Sequence, residues 1–260
     1  MPSIFDDPRF NASLFFPTVH ALRPARGARD LWVEVDGARL HLRVHEAPGA
    51  AVTLLLFHGN GETVPDYDGS ARAFAEAGAA LAVVDYRGYG ASTGVPTLRG
   101  CIADAQPTLE ALLAATEGPV VVMGRSLGGA CAAELAQTAR PRVVGYVFES
   151  APADVLGILR RRGLQLDALP EADLAVFSPL RKLGRCETPA LVLHGARDAL
   201  IPLEEGETTL AALGSAAKSL VAVPDAGHND LSFRPEYWAA LSRFVQSCRP
   251  AGWTAGDAGT

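Results

Sequence analysis

Residues 120–137 constrain the architecture of this chain more than any other stretch. Val120-Val121-Val122-Met123 is an apolar, β-branched run. Gly124-Arg125-Ser126-Leu127-Gly128-Gly129 follows, with a glycine two residues to either side of the serine, and the alanine-rich segment Ala130 to Gln137 has helical character. Strand, sharp turn and helix in immediate succession are the context in which Gly-x-Ser-x-Gly marks a nucleophile elbow. Such a turn is strained at the serine, and side chains at 124 and 128 would collide with the flanking strand and helix. It also sets Ser126 at a helix N-terminus, where unpaired N–H groups favour developing negative charge. The competing reading is a plain strand-to-helix turn with a capping serine, and the rest of the chain has to separate the two.

The elbow has its counterpart in the remaining pattern. Val52 to Phe57 is continuously apolar, as a strand buried on both faces of a parallel sheet requires. Similar runs recur at Ala80 to Val84, Pro119 to Met123, Val143 to Phe148, Ala190 to Leu193 and Ser219 to Val223. Helical spacing fills the intervals at 66–77, 99–116, 127–138, 203–213 and 235–248. Alternating strands and helices predict an α/β fold, a doubly wound and mostly parallel sheet covered on both faces. Leu31 to Val35 and Arg39 to Val44 alternate apolar and polar around Asp36-Gly37, which predicts a type I′ hairpin at one antiparallel edge. That makes about eight strands in residues 31–248. Residues 1–30, with prolines at 2, 8, 17 and 24, read as an irregular N-terminal arm, and residues 249–260 as a disordered tail. The interval from Phe148 to Ala190 is longer than the other crossovers. With helical segments at Val155 to Arg162 and Glu171 to Leu183, it predicts a small cap over 152–178 at the C-terminal edge of the sheet. A merely longer crossover is the alternative.

Composition excludes several classes. A net charge of −6, with no basic cluster beyond Arg160-Arg161-Arg162, argues against nucleic acid as a partner. No run approaches the ~18 apolar residues of a membrane helix, so no membrane insertion is expected. Asp6 and Asp7 stand where a signal peptide carries positive charge. A cytoplasmic location is the resulting expectation, in which the glycosylation pattern Asn11-Ala12-Ser13 has no meaning and Cys101, Cys131, Cys186 and Cys248 are reduced thiols. No HExxH, P-loop or EF-hand pattern occurs, and no metal or other cofactor is expected. Gly59-Asn60-Gly61, followed about two dozen residues later by Asp85, imitates a dinucleotide-binding fingerprint, but Val64 stands where that fingerprint needs a third glycine or alanine.

A serine hydroxyl is a poor nucleophile until a base removes its proton and an acid orients that base. Of six histidines, His228 lies in Ala226-Gly227-His228-Asn229-Asp230, after the last strand and before the last helix, where a loop reaches back over the elbow. Asp198 follows the penultimate strand and is the preferred acid, with Glu149 at the end of the preceding strand as its competitor. Ser126, Asp198, His228 is the chain order of an elbow-based triad. A tetrahedral intermediate needs two N–H donors. Leu127, next after the nucleophile, supplies one, and Asn60 in the glycine-rich loop His58-Gly59-Asn60-Gly61-Glu62 is the best candidate for the other. Glu62 and Asp66 are candidates for the pocket rim, and helix capping explains them equally well.

His58-Gly59-Asn60-Gly61, Asp85-Tyr86-Arg87-Gly88-Tyr89-Gly90-x-Ser92, Gly124-x-Ser126-x-Gly128-Gly129, Asp198-x-x-Ile201-Pro202 and Gly227-His228 occur in the order and approximate spacing of the α/β-hydrolase superfamily. The first two blocks resemble its serine-hydrolase branch labelled serine aminopeptidase S33, or Bem46-like. The resemblance spans roughly residues 31–248. It implies a cofactor-independent serine hydrolase cleaving carboxylic esters or thioesters of small to medium acyl groups, with a small molecule as its partner. Relatives with an aspartate nucleophile cleave carbon–halogen or epoxide bonds, whereas serine at 126 implies acyl transfer to water. The short insertion departs from many relatives and speaks against a large, lid-covered lipid pocket. An aminopeptidase-like activity on short peptides, with Glu62 or Asp66 holding a free N-terminus, is one alternative. A non-catalytic binding module on the same fold is another, disfavoured by an intact serine, histidine and aspartate set.

Overall fold

A computed structural model describes residues 3–23, 25–161, 163 and 169–249. Eight strands form one sheet: β1 (Ala28–Val35), β2 (Ala38–His45), β3 (Val52–Phe57), β4 (Ala79–Val84), β5 (Val120–Arg125), β6 (Val143–Glu149), β7 (Ala190–Gly195) and β8 (Lys218–Val223), in the order β1-β2-β4-β3-β5-β6-β7-β8. The β1–β2 and β2–β4 pairs are antiparallel and all others parallel. The order reverses at β3, so ligand-binding loops are expected beyond the C-terminal ends of β3 and β5. Helices α2 (Ala71–Glu76) and α10 (Pro235–Ser247) cover one face. The other face carries α3 (Leu98–Ala103), α4 (Ala105–Ala115) and α5 (Gly129–Ala136). Along β3, Leu54 and Leu56 enter the first core and Leu55 and Phe57 the second, the period-2 division that makes the run apolar throughout.

Several local expectations are corrected. The arm is irregular only in part: Ser3 and Asp7 cap a 3-10 turn at Ile4–Asp6 and helix α1 (Pro8–Leu14), and Phe5, Phe10 and Phe15 are buried in the core, while residues 15–23 and 25–27 form no helix or strand. The β1–β2 turn is not type I′, which needs positive φ at both central residues, because only Gly37 (φ 72°) has it. The segment expected as one helix over 99–116 divides at Asp104, whose carboxylate pairs with Arg87. Pro179 separates α7 (Glu171–Phe177) from α8 (Leu180–Leu183), where one helix was expected. Of the expected cap, α6 (Val155–Arg161) and α7 are described, while residues 162 and 164–168 and the tail from 250 lie outside the described residues. Helix α9 (Leu203–Ala212) connects β7 to β8. No helix among the described residues is long and apolar enough to cross a membrane.

The antiparallel edge conceals a charged cluster. His41 Nδ1 stands 3.1 Å from Asp85 Oδ2 and its Nε2 2.8 Å from Asp30 Oδ1, while Arg43 donates to Asp30 (2.8 Å) and Asp68 (3.0 Å). Burial works against a charged imidazole, but the two carboxylates more than offset it and raise the His41 pKa above the ordinary 6.5. His45 beside it shifts the other way, because burial outweighs its pairing with Asp68. A raised histidine pKa stabilises the fold in full below the unfolded value and ceases to do so as pH climbs through the folded value. His41→Gln is therefore expected to melt ~4–8 °C below the parent near pH 6, with the gap narrowing toward about pH 9. Melting curves of both proteins across that range test this, and taking the difference cancels the opposed contribution of His45. A gap that widens with pH would refute it.

Candidate active site

β5 delivers Ser126 into a turn with φ of 50°, a left-handed conformation that few residues other than glycine adopt. The neighbours explain why it is tolerated. A Cβ on Gly124 would collide with the Gly128 carbonyl, and one on Gly128 with the Phe57 carbonyl. The turn, continued as a 3-10 turn over Ser126–Gly128, thus packs directly on the end of β3 before α5 begins.

The loops after β7 and β8 bring two more predicted residues to this point. His228 Nε2 lies 3.0 Å from Ser126 Oγ, and His228 Nδ1 lies 2.8 Å from Asp198 Oδ2. An ionised carboxylate only accepts, so Nδ1 carries the proton and Nε2 is left to accept from the serine hydroxyl. Asp198 is 5% exposed. Burial raises its pKa, but hydrogen bonds from His228 and from the Ile201 N–H (2.8 Å) outweigh that and hold it below the ordinary 3.8. It therefore stays ionised throughout the neutral range.

Asn60 and Leu127 line the same cavity as Ser126 and His228. The competing acid is engaged elsewhere. Glu149 accepts from Tyr237 Oη (2.8 Å) and Arg125 Nε (3.1 Å), and burial raises its pKa. Asp85 holds the turn after β4. It accepts from the Val64 N–H (2.8 Å), and a Cβ on Gly90 would collide with its carboxylate. Its pKa lies well below the ordinary range, since His41 and His58 outweigh the effect of burial.

The two rim candidates separate. Glu62 borders the cavity over Ser126, but its carboxylate is bound to Arg125, Tyr67 Oη (2.8 Å) and the Gly59 N–H (2.6 Å). Asp66 does not reach that cavity. It completes a capping box with Thr63 and borders a second cavity behind Arg125.

Arg125 is the residue that sequence reasoning missed. It donates to Glu149, Glu62, the His228 carbonyl (3.1 Å) and Asn229 Oδ1 (2.9 Å), tying the end of β6 and the loops after β3 and β8 together beneath the serine. Its signal was present: Arg125 and Glu149 are lone charges ending two apolar runs, and they are register partners in adjacent parallel strands.

The cavity has a volume of about 520 Å³, within the ordinary range for small-molecule sites. Val155, Ile158 and Leu159 of α6 form one wall, Leu14 and Phe16 of the N-terminal segment another, and Leu200 and Ile201 a third. Its polar groups converge at the elbow end.

A sheet of this order, with an elbow after β5 and its partners after β7 and β8, is that of the α/β hydrolases. Comparison with known proteins agrees. Residues 48–158 match the family described as serine aminopeptidase, S33. An uncharacterised protein of Mycobacterium tuberculosis is 31% identical over 226 residues, 82% of this chain and 76% of that protein. Protein bem46 of Schizosaccharomyces pombe is 27% identical over 208 residues, 77% of this chain and 69% of that one. Among solved structures, an esterase of Pyrococcus furiosus superposes with a TM-score of 0.71 at 20% identity, over 90% of this chain and 98% of that one. The chain belongs to the α/β-hydrolase superfamily, in its serine aminopeptidase S33 and Bem46-like branch, and is a hydrolase.

Proposed function

We propose that this hydrolase is a serine esterase, cleaving carboxylic esters or thioesters of small to medium acyl groups through an acyl-enzyme. The observation that carries the reading is the hydrogen-bonded line from Ser126 through His228 to buried Asp198 on the floor of a largely apolar cavity. Ser126 Oγ attacks the carbonyl carbon while His228 Nε2 takes its proton, and the N–H groups of Asn60 and Leu127 hold the oxyanion. His228 then protonates the departing alcohol or thiol. Water, deprotonated by the same nitrogen, attacks the acyl-enzyme and releases the acid.

The lining favours an uncharged acyl chain. Arg125, the cation at the elbow end, is already paired with two carboxylates, so an anionic acyl group would find no free charge there. The same pairing argues against the peptidase reading, because the Glu62 carboxylate that would anchor a free amine is bound to Arg125, Tyr67 and Gly59. Among proteins with similar folds are the P. furiosus esterase and a bacterial membrane phospholipase A (TM-score 0.66, 20% identity).

The test is a p-nitrophenyl ester series from acetyl to dodecanoyl, run beside aminoacyl p-nitroanilides and fluorophosphonate labelling. Labelling at Ser126 and a kcat/KM maximum near ~4–8 acyl carbons are expected from the cavity size. Absence of labelling, or anilide turnover faster than that of every ester, would overturn the assignment.

A further inference from the structure

The N-terminal segment reaches the site through an unusual use of Asn60. Its side-chain Nδ2 donates to the Leu14 carbonyl (2.6 Å), and its Oδ1 accepts from the Phe16 N–H (3.1 Å) and from Tyr89 Oη (2.6 Å). The amide thus brackets Phe15 by bonding the main chain on both sides of it. One side needs a donor and the other an acceptor, so a single orientation satisfies all three bonds. Phe16 N–H also donates to Tyr89 Oη (3.0 Å), and the buried rings of Phe15 and Tyr89 meet edge to face with centroids 6.4 Å apart.

Further anchors fix this segment independently. Asn11 accepts from the Leu98 N–H at the start of α3 (2.9 Å), Ser3 donates to Asp173 of α7 (2.7 Å), and Phe5 packs on Phe177 at 4.0 Å. The segment is therefore built into the domain, and Asn60 is held by it as much as it holds it. Gly59 and Gly61 (φ 86°) flank Asn60, so the loop itself supplies little stiffness. A donor for an oxyanion must be fixed before reaction to be worth its full effect.

We propose that Asn60 and Tyr89 clamp residues 14–16 onto the loop after β3. The segment is then a fixed, specificity-determining wall of the acyl cavity, and the Asn60 side chain is a positioning group for the same residue's N–H. This rests on the esterase reading above, in which that N–H holds the oxyanion. Tyr89 touches no reacting atom and acts through Asn60.

Three variants test the proposal: Tyr89→Phe, which removes one oxygen from a ring that stays packed, Asn60→Asp, which replaces the donor to Leu14 with a carboxylate, and Phe16→Ala at the exposed rim. Rates are expressed per serine titrated by a fluorophosphonate, so a loss of folded protein does not register as a loss of kcat. For the acetyl ester, kcat is expected to fall ~3–10-fold in Tyr89→Phe and ~10–100-fold in Asn60→Asp, with KM within about twofold. Phe16→Ala is expected to lower kcat/KM for octanoyl relative to acetyl esters by about 10-fold. A purely structural clamp would lower the melting temperature and leave kcat per titrated serine unchanged. That result in both clamp variants, or an unaltered chain-length profile in Phe16→Ala, overturns the proposal. Failure of the wild type to react with the probe overturns the esterase reading instead, so the two failures are distinguishable.

Discussion

Ser126→Ala is expected to lower kcat on p-nitrophenyl butyrate by on the order of 10⁴-fold or more, with a melting temperature within about 2 °C of the parent. The size follows from what the hydroxyl does. In the proposed mechanism no acyl-enzyme forms without it, and the remaining groups only polarise the carbonyl toward water, which leaves a small residual rate. The small thermal effect follows from what the hydroxyl touches. Its one protein partner among the described residues is His228 Nε2, at the floor of an open cavity where water can replace it. Alanine also bears the same cost as serine at a φ of 50°, so the strain of the turn is unchanged. Steady-state rates and fluorophosphonate labelling of both proteins, with melting curves to show that the variant is folded, decide the matter. A variant retaining a tenth of the parent activity would sink the serine mechanism, since among the described residues no group other than Ser126 in this cavity is set against a histidine in this way.

How far the site was legible depended on whether its residues interact locally or across strands. The elbow was legible because its constraint is local: the glycines at 124 and 128 sit within two residues of the strain they relieve. Asp198 and His228 were legible because a parallel α/β sheet sends all its C-terminal loops to one edge, so strand order alone predicts their meeting. The fold followed from the buried runs, whose apolar character on both faces has few explanations in a chain of this length. Arg125 was not legible by the same means. Its partners come from positions 62, 149, 228 and 229, and their convergence depends on the register of β5 against β6 and on the reach of a long side chain. The N-terminal segment failed for a related reason. Its prolines read as an irregular arm, and nothing in their spacing shows that Phe5, Phe10 and Phe15 find places in the core or that Asn60 bonds the main chain beside the last of them. Rim and cap are indistinguishable for Asp66 from sequence, because its carboxylate's bonds to the Thr63 N–H and hydroxyl depend on the local turn.

Arg125→Met is expected to lower stability by about 3–5 kcal/mol, which for a chain of this size is a fall of roughly 6–20 °C in melting temperature. Methionine fills much of the same volume, so the cost is electrical. Glu149 is 4% exposed and lies against Arg125 Nε; without that partner its carboxylate keeps, among the described residues, only the Tyr237 hydroxyl. The sign of the pH dependence separates this cause from lost packing. Burial already raises the Glu149 pKa, with Arg125 as the largest opposing influence, so removing Arg125 raises it further. A carboxyl whose folded pKa lies above its unfolded value binds more protons when folded, and stability falls as pH rises through that range. The variant should therefore recover part of its stability on going from about pH 8 to about pH 5 relative to the parent, and a second substitution, Glu149→Gln, should restore part of it at the higher pH. Activity should fall as well, because Arg125 also holds the His228 carbonyl and Asn229 and so fixes the loop that carries His228, the base of the proposed mechanism. Denaturant melts of the two single variants and the double variant at both pH values provide the measurement. If Arg125→Met melts within 2 °C of the parent at about pH 8, or if Glu149→Gln adds its own loss to it without compensation, the guanidinium is not what holds the buried carboxylate.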